Sequence, residues 1–324
     1  MVDLSIVIVS WNVSGLLRRC LNSIGCPEAP GVRDRSGGLG LGADGTDLTT
    51  EIIVVDNGSC DGSVEMVRKH FADVILIANE ENLGFSAATN QGIGVAHGRH
   101  VLVLNPDTEV TGDALGTLVA FADAHSDVAM AAPQLLNPDG TIQSSRRRFP
   151  TLLTALLEST WLEPCVPPGM LKRYYVLDRP DDVIQDVDWV TGAAMLVRRE
   201  AIDDVGLLDE GFFMYSEELD WCRRLREKGW RVVYVPTAQI VHYAGKSSEQ
   251  VVGARHIYFQ TSKVRYFKKH HSQLTGEALR WFLLANYVWQ IGLEGTKWLV
   301  GHKRPLRARR IAAYHQVLAS GLRS

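Results

Sequence analysis

The sequence predicts an α/β chain, a doubly wound sheet flanked by helices, with a helical C-terminal extension. Three observations predict it. Short runs of apolar and β-branched residues recur through the first hundred positions. Each run is followed by a stretch whose apolar residues have helical spacing. Beyond residue 254 the pattern turns helical, aromatic and basic. Strands and helices alternating at short intervals call for right-handed crossovers onto one sheet.

Residues 4–9 form a β-branched run of the kind buried on both faces of a parallel sheet. Leu16, Leu17, Cys20, Leu21 and Ile24 follow with helical spacing. Residues 51–56 read as a second strand, with Val64, Val67 and Phe71 marking the helix behind it. A third strand is expected over 74–78, a helix over 85–96 and a fourth strand over 100–104. Sheets of this kind bind ligands at the carboxyl ends of their strands. Here those ends are Ser10-Trp11-Asn12, Asp56-Asn57-Gly58, residues 79–82 and Asn105-Pro106-Asp107, all polar and turn-rich.

Residues 29–50 are glycine-rich and carry Gly40, Gly42 and Gly45 in GxGxxG spacing. A dinucleotide fingerprint must follow a strand and open a helix. This one follows a helix and precedes a strand, so it reads as a flexible surface insertion. Residues 127–200 break the alternation with Pro133, Pro150, Pro164, Pro167 and Pro168. A strand is expected over 193–197, a helix over 216–228 and late strands over 231–235 and 240–241. Residues 1–254 are therefore expected as one domain and 255–324 as its extension.

Hydrophobic residues make up 46% and charged residues 22% of the 324, an ordinary globular balance. That excludes a disordered, collagen-like or disulfide-stapled chain. The five cysteines include no CxxC pair and read as reduced thiols of a cytoplasmic protein. Asp3 stands where a signal peptide would be positive, and no uncharged apolar run reaches about 20 residues, so neither leader nor spanning helix is expected. Net charge is −3, but from Arg255 onward thirteen Lys and Arg face only Glu277 and Glu294. A basic tail on an acidic body suggests an anionic partner. The tail also carries Trp281, Tyr287, Trp289 and Trp298, which suits an anionic bilayer interface. A core or homodimer helix is the competing reading. No nucleic-acid recognition motif accompanies the charge.

Several motifs can carry chemistry. Asp56 ends a strand, where it serves either a turn or a bound base or ribose. Asn82, Gly84 and Asn90 belong to a loop that opens a helix, whose free N–H groups suit phosphate. Asp107, held by a Pro turn, either closes an Asx turn or offers a hard oxygen to Mg²⁺ or Mn²⁺. Ser216 reads as an N-cap, followed by Glu217, Glu218 and Asp220 in a first turn that favours acids. One of these carboxylates could alternatively serve as a general base. His242 follows the last strand with Lys246 close behind; either a structural or a ligand role fits it.

In order and spacing, these segments resemble family 2 glycosyltransferases, nearest the rhamnosyltransferase-like enzymes of cell-surface polysaccharide synthesis. The match runs through Ser5 to Asn12, Val55 to Ser63, Asn82 to Ser86 with Asn90, and Leu104 to Asp107. It continues through Thr191 to Arg198, Phe213 to Arg223 and His242 to Ser247. The resemblance implies a GT-A-type, Rossmann-like mixed sheet over residues 1–254. It also implies inverting transfer from a nucleotide-diphosphate sugar, with dTDP-rhamnose as first candidate, to a glycan or lipid-linked acceptor. Ser10, Asn12, Gly84, Asn90 and Gly192 would join the nucleotide-sugar site, Asp56 would bind the nucleobase and Asn82 the nucleoside. Asp107 would hold a divalent metal, with His242 as a further metal or diphosphate ligand. Asn105 stands where many relatives carry Asp. Glu218 stands at the catalytic base, often Asp, with Glu217 beside it. The enzyme is expected in the cytoplasm, either free or peripheral at the inner face of the cell membrane.

Two other classes compete. A nucleotidyltransferase making nucleotide sugars would carry a Gly-rich loop with a basic residue after the first strand, where Ser10-Trp11-Asn12 stands instead. A non-catalytic membrane- or polysaccharide-binding module would have lost Asp107 and the Glu217–Glu218 pair, and both are present.

Overall fold

The computed structural model describes residues 2–26, 48–158, 160–163, 166–244 and 252–323. Gly40, Gly42 and Gly45 of the glycine-rich stretch, Cys165 and Lys246 lie outside them. The first half runs β1 (Leu4–Ser10), α1 (Ser14–Ser23), β2 (Thr50–Asp56), α2 (Ser63–His70), β3 (Ile75–Ala78), α3 (Phe85–Val95), β4 (His100–Leu104), β5 (Thr108–Val110), α4 (Ala114–Ala124) and β6 (Val128–Leu136). Next come β7 (Ile142–Gln143), β8 (Arg146–Arg147), α5 (Leu152–Leu157), α6 (Pro168–Tyr174), β9 (Gln185–Asp186), β10 (Trp189–Val190), β11 (Ala194–Arg198) and α7 (Arg199–Val205). The chain closes with α8 (Glu217–Glu227), β12 (Arg231–His242), α9 (Val252–His270), α10 (Gln273–Leu299) and α11 (Arg304–Ser320).

The main sheet is mixed, in the order β3-β2-β1-β4-β11-β6-β12-β5. β1, β2, β3 and β4 are parallel, which is why β1 and β4 are buried along their whole length and mostly apolar. β11 inserts antiparallel between β4 and β6. α3 lies close on the sheet because residue 92 is glycine: a Cβ there would stand 2.4 Å from Val7 Cγ1. The core collects Leu4, Ile6 and Ile8 of β1 with Leu17 and Leu21 of α1 and Leu115 and Leu118 of α4.

Two differences from the sequence reading have physical causes. The stretch read as irregular from residue 127 begins with the nine-residue strand β6, whose Pro133 sits inside a buried apolar run. The two late strands are one, β12, whose register slips between Val235 and Gln239, around Pro236.

Two compact units result. One comprises residues 1–148, 175–210 and 218–247; the other comprises 149–174, 211–217 and 248–324. Within the second, α9, α10 and α11 pack on one another, and the Trp161 ring lies tilted against Trp289 with centroids 5.8 Å apart.

Gly92 and Gly94 separate the packing of α3 from its helix propensity. Gly92→Ala should lower stability by about 1–3 kcal/mol through overpacking against Val7. Gly94→Ala, with open space around it, should raise stability by about 0.5–1 kcal/mol. Urea unfolding of both variants measures the contrast.

Candidate active site

The carboxyl rim of β1 and β2 carries two buried polar groups awaiting partners. Ser10 and Asp56 end their strands in register. Asp56 Oδ1 accepts the Ser59 N–H at 2.8 Å. Asp56 Oδ2 and Ser10 Oγ are closed off from solvent with no hydrogen-bond partner. Orphaned buried polar atoms are costly, so a ligand that completes them is favoured here.

Asn12 takes φ of 53°, and its Oδ1 accepts the Cys60 N–H at 2.8 Å. The Ser59 hydroxyl accepts the Asn12 N–H, and Asp61 accepts the Ser14 N–H. The loops after β1 and β2 are thus tied to each other, and the Asn12 carbonyl is spent on that tie.

Asn57, to which the sequence reading gave no role, organises the third loop. Its Nδ2 donates to Asn82 Oδ1 at 2.9 Å and to the Gly84 carbonyl at 3.1 Å. Its Oδ1 accepts from Asn79 Nδ2 and the Leu83 N–H. Asn82 Oδ1 therefore faces Asn57 and the Gly84 N–H. Gly84 opens α3 with φ of 88°, a conformation that favours glycine. Gly58 takes φ of 80° under the Glu81 backbone, 2.8 Å from where a Cβ would sit. Asn90 lies elsewhere: its amide clasps Leu208 by both backbone groups and reaches Glu210.

Asp107 and His242 are brought together across 135 positions of sequence. The chain leaves β4, and Asn105 N–H donates to the Ala193 carbonyl. Pro106 turns it, and β5 then pairs with β12, matching Thr108 to His242. The Asn105 carbonyl accepts the Thr108 hydroxyl at 2.7 Å. Buried Asp107 places Oδ1 3.4 Å from His242 Nε2. The other imidazole nitrogen, Nδ1, donates to Gln143 Oε1 at 2.6 Å. Gln143 is itself oriented by donating to Asn137. With Nδ1 engaged by Gln143, Nε2 is the ring nitrogen turned toward the carboxylate, so the two groups converge from one side. One hard oxygen, one imidazole nitrogen and an outer partner fixing the tautomer fit a divalent metal that takes its other ligands from phosphate and water. Among the described residues no three His, Cys, Asp or Glu side chains cluster for a metal.

Glu217 and Glu218 open α8. The residues before them, Tyr215 and Ser216, take φ of 71° and 64°. Ser216, read from sequence as an N-cap, is thus left-handed where caps are ordinarily extended. Two non-glycine residues held there cost about 1–3 kcal/mol each, strain of the kind found at functional sites. Glu217 is buried and Glu218 half-buried. Gly192 faces Glu218, with space for a Cβ at 3.7 Å. Burial pushes the Glu218 carboxyl above the usual range, against backbone N–H groups of Glu218, Leu219 and Gly192 and the charge of Arg147. Its Oε2 is buried without a hydrogen-bond partner. A carboxylate with a raised pKa on a rigid helix takes a proton more readily than an exposed one. A separate cavity of about 410 Å³, lined by Arg148, Arg179, Arg226 and Asp188 among others, contains none of these residues.

Residues 5–206 match the model of Glycosyl transferase family 2. The chain belongs to that family. It is 29% identical over 249 residues to an N-acetylglucosaminyl-diphospho-decaprenol L-rhamnosyltransferase of Mycobacterium tuberculosis, covering 74% of this chain and 81% of the relative. It is 27% identical over 173 residues to the rhamnosyltransferase WbbL of Escherichia coli, covering 52% and 62% respectively. A mannosyltransferase of Pyrobaculum calidifontis, solved with GDP-Man and Mn²⁺, shares the fold with a TM-score of 0.54 at 16% identity. That superposition covers 99% of this chain and 87% of the other. The mixed sheet with flanking helices is thus of the GT-A type.

Two predictions follow from these contacts. Asn57→Ala removes four hydrogen bonds and strands their partners, so it should cost about 1–3 kcal/mol in urea unfolding. Glu218→Gln tests the buried charge. A carboxyl whose pKa is raised on folding holds its proton more tightly in the folded state, so it lowers stability as pH rises through that window. The variant should therefore melt higher than the parent at pH 7, and the gain should vanish below the ordinary Glu range. Melting curves from pH 4 to pH 8 measure it.

Proposed function

We propose that this family 2 enzyme moves L-rhamnose from a nucleoside-diphosphate donor, dTDP-rhamnose first, to a lipid-linked glycan, with inversion. The Asp107–His242 pair, oriented by Gln143, carries the reading. The Mycobacterium tuberculosis relative supports the sugar and the acceptor class, since its name specifies rhamnosyl transfer onto a diphospho-decaprenol-linked sugar. The product would be an intermediate in cell-surface polysaccharide synthesis.

In this reading Ser10 and Asp56 complete their hydrogen bonds on the nucleoside, in the loop framework that Asn12, Asn57, Asn82 and Gly84 hold. Asp107 and His242 hold Mg²⁺ or Mn²⁺, which when bound offsets the charge growing on the departing diphosphate. Glu218 takes the proton of the acceptor hydroxyl as its oxygen bonds to C1 of the sugar. The bond from C1 to the diphosphate oxygen breaks on the opposite face, and the nucleoside diphosphate leaves with the electron pair. One displacement inverts the centre and needs no nucleophilic side chain, the logic of inverting glycoside hydrolysis with a sugar hydroxyl in place of water. Glu217 adds a second carboxylate beside the base. Asn90 supports the site through Leu208 and Glu210, and Gly192 leaves room at Glu218.

A panel of nucleotide sugars, each with Mg²⁺ or Mn²⁺, tests the reading by release of nucleoside diphosphate. One donor should be hydrolysed slowly, with activity lost to chelator and to Asp107→Ala. Gln143→Ala should weaken the metal by about 10–100-fold, read as a higher metal concentration for half-maximal activity. Silence in turnover together with no thermal shift by any nucleotide would favour a binding module instead.

A further inference from the structure

We infer that α10 lies in the surface of an anionic bilayer, with one uncharged face against lipid and the flanking arginines on its headgroups. The observation is a division of the helix into two faces. Leu279, Leu283, Asn286, Tyr287 and Glu294 are buried within the helical unit. From Leu274 to Thr296, a length of about 33 Å at 1.5 Å per residue, every exposed position is uncharged. Leu274 is 84% exposed, Trp281 63%, Val288 60% and Trp289 53%. The strip ends in a tight turn with Leu299 and Val300 also exposed, where Gly301 and Lys303 take positive φ. An isolated surface leucine means little, but a continuous strip of this size marks an interaction surface. Among the described residues no helix is long and apolar enough to cross a membrane, so the strip lies on a surface and does not span it.

Charge decides what covers it. Both acids of the extension are consumed inside the unit: Glu294 pairs with Arg307, and Glu277 with Lys268 and Arg280. Residues 255–324 hold thirteen Lys and Arg against these two acids, and one of the thirteen, Lys263, pairs with Glu158; Lys303 and Arg304 are exposed at the end of the strip. Arg280 stacks over Trp281 at 5.0 Å and Arg304 over Trp298 at 5.2 Å. Tryptophan with an arginine beside it suits a boundary that is apolar below and anionic above. A second copy of this chain docking the same face about a two-fold axis would bring like charge against like. An anionic bilayer gains from both the strip and the charge. The inference holds whichever sugar the enzyme transfers.

Vesicle co-sedimentation of the whole chain tests it, with equimolar phosphatidylglycerol and phosphatidylcholine compared against phosphatidylcholine alone. Binding should favour the anionic vesicles and fall as salt rises. Trp281→Ser with Trp289→Ser should cut the partition coefficient by about tenfold or more. Lys303→Glu with Arg304→Glu should cut it by at least about fivefold for each lost positive charge. Trp289 touches Trp161 and Arg304 caps the Trp298 turn, so far-ultraviolet circular dichroism and melting temperature are measured alongside, and only variants that remain folded count. Absence of binding to both vesicle types at low salt would overturn the inference. So would a concentration-dependent dimer, seen by light scattering, that the tryptophan variant dissolves.

Discussion

The antiparallel pairing of β5 with β12 is the contact on which the placement of Asp107 against His242 depends. The chain leaves β4 in the middle of the sheet, and after three linking residues it begins an edge strand next to β12. So short a link must be taut, and the Pro106 turn with the Thr108 hydroxyl on the Asn105 carbonyl makes it so. Asp107 has little freedom, and its carbonyl is also held by the Tyr243 N–H. The ladder that places Thr108 opposite His242 consequently delivers a carboxylate to an imidazole. A one-residue slip would turn the following side chains to the other face. Cys20 of α1 meets both the Asn105 carbonyl and the Thr108 hydroxyl, and burial raises its thiol to about 12, so it packs there as a neutral group.

At the other half of the rim, amides fix the loops. Side-chain amides act there as extra backbone. Asn12 spans the first two strand-end loops, and Asn57 spans the second and third. Each such amide satisfies backbone groups that a loop would otherwise leave to water. Positive φ at Asn12, Gly58, Gly62 and Gly84 is the conformational cost of turning so sharply at each strand end. The return is a rim whose unfilled hydrogen-bonding positions, Ser10 Oγ and Asp56 Oδ2, are few and adjacent in the sheet. That is preorganisation: the ligand need not order the loops itself.

Most of the parallel half was legible because its runs are short, β-branched and bounded by Asn, Asp and Gly. Residues 4–9, 51–56 and 100–104 fall inside β1, β2 and β4 with ends shifted by a residue at most. β6 was not legible: its Pro133 resembles a turn signal, and only the pairing shows that β11 stops at Ala131 and leaves Pro133 matched to β12 alone, where a proline is tolerated. The single strand β12 read as two for the same reason, since Pro236 interrupts its pattern. Of the candidate residues, those adjacent in sequence were easy to group, and those joined by topology were not. Nothing local connects Gln143 to His242, or Asn90 to Leu208. Both links exist only because distant elements pair, and an amide on a short strand carries no local signature of its partner.

Glu218 shows why a site of this kind works against the stability of its own scaffold. Burial destabilises the carboxylate, and three backbone N–H groups with Arg147 oppose it without winning. Tyr215 and Ser216 add left-handed strain at the residues immediately before it. Neither feature would survive where packing alone was being optimised, because each has a cheaper alternative in an ordinary cap and an exposed acid. Both make sense if the carboxylate must be aimed from a fixed helix start and must bind a proton readily. An exposed Glu would be ionised and fully hydrated, a weaker base; a fully apolar pocket would keep it protonated and useless as one. The donors from Gly192 and the helix terminus oppose the shift that burial causes, and the Glu218 side chain begins from a backbone that the strained turn fixes.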